Sequence, residues 1–245
     1  MQNAKLVISG LVAIMVSAVA VSWWARERAA SEHDVILTFS AQAQGAPIVF
    51  DTYAYDNPGG PGRVRLRDFR FYLSNISLES EEAVYVEPDS YHLVRFDNPE
   101  ASDTIRLEAV PLNRVARVTF SIGVDAEANS SIEVRGDLDP NSQMAWNWEV
   151  GYKFVMFEGN LMLDDQEQPL VYHVGFSENR RELLFELDMA RLATDLGPVH
   201  FVVDVMKLFE GTTQIDLGKL TSVKFDREDA GQLADNYAKM IEIAD

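Results

Sequence analysis

Ala116-Arg117-Val118-Thr119-Phe120-Ser121-Ile122-Gly123-Val124 alternates apolar and polar side chains along its whole length. Successive strand side chains point to opposite faces. Ala116, Val118, Phe120, Ile122 and Val124 therefore share one face, with Arg117, Thr119 and Ser121 on the other. This is the pattern of a strand buried on one side. The same period appears on either side of it. Val35, Leu37 and Phe39 alternate with polar neighbours, and Leu66 to Leu78 reads as a long strand with a bend. Tyr152 to Leu163, Leu170 to Phe176, Leu183 to Leu187 and Val199 to Val205 continue the series. Turn formers separate these runs: Asn57-Pro58-Gly59-Gly60-Pro61-Gly62, Asp97-Asn98-Pro99, Asp139-Pro140-Asn141 and Leu196-Gly197-Pro198. Many short strands without alternating helices predict an all-β chain folded as an antiparallel β-sandwich. From Glu228 onward, Leu233, Tyr237, Met240, Ile241 and Ala244 fall at helical spacing and predict a short C-terminal amphipathic helix.

The chain has 245 residues, and no repeat or low-complexity linker divides it. One domain over residues 31–245 is expected. Lys and Arg total 21 against 39 Asp and Glu, a formal charge of −18. A polyanion repels nucleic-acid phosphates, which argues against a nucleic-acid partner. Apolar residues make up 47% of the chain, enough for a packed core and too many for general disorder. The absence of Cys removes disulfides, thiolate metal sites and thiol nucleophiles. A metal site must use imidazole, carboxylate, thioether, amide or backbone oxygen.

Residues 1–30 read as a signal peptide or an N-terminal membrane anchor. Lys5 precedes an apolar run from Leu6 to Trp24, and Ala18-Val19-Ala20 offers a small-x-small cleavage site. The run is also close to the roughly 20 residues that span a bilayer. Either reading places the rest outside the cytoplasm, in the periplasm, free or tethered to the inner membrane. No phosphate-binding loop, dinucleotide fingerprint, nucleophile elbow or His-Glu-x-x-His word occurs, so no enzyme is expected.

Three places carry chemistry. Trp146 and Trp148 would share one face of a strand, either as packing or as electron-rich indoles lining a site. His92 in Tyr91-His92-Leu93-Val94 and His173 in Tyr172-His173-Val174-Gly175 each interrupt an apolar run. Each is a hydrogen-bonded core residue or a metal ligand, neutral imidazole being the strongest soft-to-borderline donor left without Cys. His33 and His200 are weaker candidates, one near the processed N-terminus and the other beside Pro198. Asp125, Glu127, Asn129, Asp137, Asp139 and Asn141 form an acidic-amide stretch that is a solvated loop or a Ca²⁺ site without EF-hand spacing.

Several words in order carry a resemblance. They are Phe69-x-Phe71-Tyr72-Leu73-Ser74-Asn75-Ile76, Tyr91-His92-Leu93-Val94, Phe120-Ser121-Ile122-Gly123-Val124-Asp125 with Asn129, and Leu138-Asp139-Pro140. Met144-x-Trp146-x-Trp148-x-x-Gly151-Tyr152-Lys153-Phe154, Glu158-Gly159, His173-x-Gly175 and Ala234-Asp235-Asn236-Tyr237-Ala238-x-Met240 follow. From about Val35 to the C-terminus the chain resembles the MbnP-like copper-binding proteins. The resemblance implies a periplasmic β-sandwich that binds one copper ion and takes part in copper handling. In characterised members two His and a kynurenine made from Trp form the site, and a diheme cytochrome c peroxidase-like partner oxidises the Trp. Carried over, His173 and His92 are the ligands, and Trp146 or Trp148 is the oxidised residue. Secreted members place the oxidisable Trp two residues before a ligand His; Ser90 and Val171 hold those positions here. The alternative is a metal-free binding or assembly module of the same fold.

Overall fold

A computed structural model describes residues 33–96, 104–147, 151–187 and 197–244. The leader reading of residues 1–30 and Trp148 lie outside them. No helix among the described residues is long and apolar enough to cross a membrane.

Two sheets pack face to face. The smaller holds β1 (His33–Ala43), β2 (Ala46–Pro47), β7 (Thr104–Val110), β13 (Val199–Asp204) and β15 (Ile241–Ile243). The larger is organised on β4 (Arg63–Glu79). At Phe71 this strand pairs with both Val155 and Val94, and at Leu73 with both Ile122 and His92. So β10 (Gly151–Leu163) and β8 (Arg117–Ile122) follow one another along one edge of β4. Strands β3 (Tyr53–Asp56), β6 (Tyr91–Arg95) and β5 (Val84–Val86) follow one another along the other. Outward from β8 lies β12 (Arg181–Glu186), and outward from β10 lie β11 (Gln166–Gly175) and β14 (Ser222–Val223). β9 (Ala145–Asn147) joins the start of β10.

The alternation read at Ala116–Val124 holds as far as Ile122, where the strand ends; Gly123, with φ 108°, turns the chain, and Val124 packs in a separate cluster on the other face of the sheet. Val118, Phe120 and Ile122 are fully buried, and the Phe120 ring meets Phe39 and Phe201 of the opposite sheet edge-on, at 6.1 and 5.3 Å. The expected bend in β4 falls at Asn75, whose φ of 54° breaks the register with β8 between Ser74 and Ser77. A side chain lodged in the left-handed region locally ends regular pairing and re-aims the strand.

Two features differ from a purely antiparallel sandwich. β1 runs parallel to β13, and β14 parallel to β11, so both sheets are mixed. The C-terminal helix exists as α3 (Arg227–Tyr237), after the short helices α1 (Ala126–Asn129) and α2 (Lys207–Glu210). It stops at Ala238, and Ile241–Ile243 then pairs with β13 as an edge strand. The Tyr237 hydroxyl donates to the Asn179 carbonyl, fixing the helix against the turn after β11.

A second, smaller core lies on the outer face of the larger sheet. Tyr72, Tyr91, Val124, Ala128, Leu138, Met144, Tyr152, Phe154 and Met156 build it. The segment from Gly123 to Ala145 crosses that face and supplies its lid. Asp125 is the hinge of this packing. Its carboxylate caps α1 by accepting from the Glu127 and Ala128 amides at 3.1 Å each, and accepts the Tyr91 hydroxyl at 2.6 Å.

Candidate metal centre

The β10–β11 hairpin brings the site together. Asp164 and Asp165 both have positive φ, 51° and 60°, as a two-residue turn of the type that matches strand twist requires. Leu163 then faces Gln166, and the same register sets Met156 opposite His173 and Glu158 opposite Val171. Tyr172 and Val174 point into the main core, so His173 points the other way, to the outer face beside Met156. Its Nε2 lies 2.9 Å from Glu158 Oε1, and its side chain is 11% exposed. Burial pushes the imidazole pKa below its ordinary value; the Glu158 hydrogen bond opposes this, and the nearby Lys153 and Lys224 ammonium groups add to it. The ring is therefore neutral at pH 7, the form that ligates a metal.

The surroundings are ordered by register. Arg70 on β4 faces Met156, and Asp68 faces Glu158. Arg70 grips the Asp68 carboxylate with two parallel bonds, 2.8 and 2.6 Å, with both side chains largely buried. That pairing keeps a carboxylate directly opposite Glu158 from acting as a bare like charge. Lys153 Nζ donates to the Gln143 carbonyl, tying the hairpin to the crossing segment.

Trp146 stands on the same face, two positions along from His173. A Cβ on Gly175 would lie 2.5 Å from Trp146 Cζ3, so the indole occupies the space that glycine leaves empty. The ring also packs on Phe176 and Phe225, with centroids at 5.5 and 5.2 Å, and Arg227 lies over Phe176 at 4.3 Å. The His173-x-Gly175 word thus has a steric reason: imidazole at one position, a seat for the indole at the next outward one.

His92 is elsewhere. It faces Leu73 and alternates with Val94, both on the main-core side, and its Nε2 lies 2.7 Å from Glu87 Oε2. β4 and β10 separate β6 from β11, and the row through His173 crosses β4 three residues from Leu73. Strand spacing puts the two histidines about 17 Å apart, on opposite faces of one sheet. The structure does not bring the two histidines of the expected mononuclear site together. His200 Nδ1 is 2.5 Å from the Thr38 hydroxyl on the smaller sheet, and His33 begins β1.

The acidic-amide stretch is spent on structure. Asp125 caps α1, Asp137 accepts the Leu93 amide at 2.8 Å, and Asp139 accepts the Asn141 amide at 2.8 Å. Asn129 is buried and accepts the Tyr152 amide at 2.9 Å. Among the described residues no group of three or more His, Asp or Glu side chains is arranged to hold a metal ion. Met156, opposite His173, and the pairing of Glu158 with the His173 ring escaped sequence reading. The Asp164-Asp165 turn was the signal that could have found them, since it fixes which residues face each other.

The comparisons with known proteins agree with this architecture. No curated protein matches the chain at a significant level. A solved structure of MbnP from Methylosinus trichosporium is similar to it at 20% identity and a TM-score of 0.56, over 80% of this chain and 81% of that one. That likeness speaks for the fold. The sequence profile of the MbnP family matches residues 32–225, most of the chain. The chain belongs to the MbnP family.

Proposed function

We propose that this protein is an exported copper-binding protein of the copper-handling kind, not an enzyme, and that it holds copper on the outer face of the larger sheet at His173. Family membership over residues 32–225 is the observation that carries the reading. The local chemistry fits it. His173 is neutral and nearly buried, it is oriented by Glu158, and Trp146 lies on the same face. A carboxylate that fixes one ring nitrogen and leaves the other to the metal is the usual support of a ligating histidine. Bound copper would supply a redox-active, tightly held ion; the protein's part is to position the imidazole and restrict water.

In this reading a diheme peroxidase-like partner oxidises Trp146, which is half-buried against Gly175 on the face that His173 occupies. Export to the periplasm, with or without an anchor, belongs to the same proposal. The test is copper content after loading and desalting. His173→Ala should lose most bound copper, and His92→Ala should retain it. Copper retained by His173→Ala would refute this placement and favour the metal-free binding module. Intact mass of protein made with and without the partner reports whether Trp146 is converted to kynurenine.

A further inference from the structure

We infer that Tyr91, hydrogen-bonded to Asp125, is a proton-coupled redox site that draws oxidising equivalents away from Trp146 through Tyr152 and Tyr72. The choice of Trp146 as the point of injection rests on the proposed function; the tyrosine row does not. Trp146 Cζ3 and the Tyr152 carbonyl oxygen each lie 2.5 Å from the point where a Gly175 Cβ would stand, so the indole is within about 5 Å of the Tyr152 backbone. The Tyr152 and Tyr72 rings meet edge-on with centroids 5.8 Å apart. Tyr91 faces Ser74, which makes it the diagonal cross-strand neighbour of Tyr72, a separation that aromatic side chains bridge. All three tyrosines belong to the small outer core. Electron transfer weakens steeply with distance, and each step here joins neighbours.

The last tyrosine of the row is the one bonded to a base. Its hydroxyl donates to Asp125 Oδ2 at 2.6 Å, inside the reach of direct proton transfer. Burial and this bond push the Tyr91 phenol up to about 12, so it holds its proton at pH 7. Hydrogen bonds from Tyr91, Ala128, Asn75 and Glu127 outweigh burial at Asp125 and hold it below 3.8, as a carboxylate. Arg135, paired with Glu127 and Glu133, adds a positive charge beside Tyr91. Tyr72 meets the Asp137 carbonyl at 3.3 Å and the Ser142 hydroxyl, and the Tyr152 hydroxyl has no hydrogen-bond partner among the described residues. Neither is bonded to a base, so an electron vacancy passes through both and comes to rest at Tyr91. The step balances. A one-electron oxidant, the high-valent haem of the peroxidase-like partner, takes one electron from Trp146 and leaves an indole radical cation. Tyr91 returns an electron to Trp146 through Tyr72 and Tyr152 as its O–H bond breaks. The proton forms an O–H bond on Asp125 Oδ2, and Tyr91 is left as a neutral phenoxyl radical. A thiol- or enediol-class reductant then returns the electron, and Asp125 the proton.

The experiment oxidises the metal-free protein with a photogenerated ruthenium(III) trisbipyridine complex, a cobalt(III) ammine serving as the sacrificial electron acceptor. Transient absorption and freeze-quench electron paramagnetic resonance of protein carrying ring-deuterated tyrosine follow the radical. The wild type should end as a tyrosyl radical that forms more slowly in D₂O. Tyr91→Phe and Tyr72→Phe keep a ring in the small core and should lose most of that signal, leaving the radical on tryptophan. Tyr85→Phe, against the main core, should keep it. Asp125→Asn should lower the tyrosyl yield and remove the isotope dependence, and Trp146→Phe should lower the yield. An undiminished tyrosyl signal in Tyr91→Phe or Tyr72→Phe, with melting curves showing both variants folded, would overturn the relay. If His173→Ala loses copper but no radical forms on Tyr91, the relay is wrong while the copper placement stands. If the radical forms on Tyr91 and His173→Ala keeps copper, the copper placement falls and the relay stands.

Discussion

Replacing Gly175 by Ala tests why a glycine follows the histidine. Gly175 is not among the residues with positive φ, so alanine strains no backbone there and the cost is steric. The new methyl would sit 2.5 Å from Trp146 Cζ3 and 2.5 Å from the Tyr152 carbonyl oxygen. Carbon pairs prefer about 3.5–4.0 Å, so the overlap is roughly 1 Å on each side. The indole can swing; the carbonyl belongs to β10 and cannot move without disturbing the ladder. Overpacking of this kind costs about 1–3 kcal/mol. Alanine returns about 0.4–1 kcal/mol by stiffening the unfolded chain. The expected net loss is about 1–2 kcal/mol. For a domain of this size that is a fall of roughly 2–8 °C in Tm. Thermal and urea unfolding of the metal-free protein measure it. In a Trp146→Ala background the penalty should shrink by at least about 0.5 kcal/mol, the coupling expected of residues in contact. An unchanged midpoint, or an equal penalty in both backgrounds, would refute the claim that Gly175 seats the indole.

Further expectations concern the scaffold. Asp125→Ala removes a helix cap worth about 1 kcal/mol and a charged hydrogen bond to Tyr91 worth about 1.5–3 kcal/mol, so urea unfolding should show a loss of roughly 2–4 kcal/mol. Burial pushes the Asp125 carboxyl up, but hydrogen bonds from Tyr91, Ala128, Asn75 and Glu127 outweigh it and hold it below the ordinary 3.8. Its contribution is thus complete above that value and lost as pH falls through the lower, folded-state value. The stability gap between the wild type and Asp125→Asn should narrow on acidification below 3.8. Asn57 bridges the Leu217 amide (3.0 Å), the Pro61 carbonyl (2.9 Å) and Asp216 (3.0 Å), so Asn57→Ala leaves a buried amide unpaired. A loss of about 1–3 kcal/mol in unfolding free energy is expected.

Strand period was legible and strand partnership was not. Ala116–Ile122, Val199–Val205 and the bent run through Leu78 announce themselves because burial of one face imposes period two, whereas Val124, past Gly123, falls on the other face. The same period carries no label for the neighbouring strand, so the parallel match of Leu37 with Val199 is invisible in the sequence. Met240 and Ile241 continue a helical face set by Leu233 and Tyr237, which is why they read as helix. Pairing with Phe201–Val203 claims Ile241–Ile243 instead, a tertiary gain that outweighs local spacing. The site shows the limit most clearly. Tyr91-His92-Leu93-Val94 and Tyr172-His173-Val174-Gly175 look alike locally, yet one histidine faces the main core and the other the outer side. A shift of one residue in register reverses a face, and register is fixed by turns and partners lying outside either word.

Copper-edge anomalous diffraction from the loaded protein tests the central claim most directly. One peak bonded to His173, on the outer face between Met156 and Trp146, is the predicted result. A peak at His92, or copper bound away from both histidines, would contradict it.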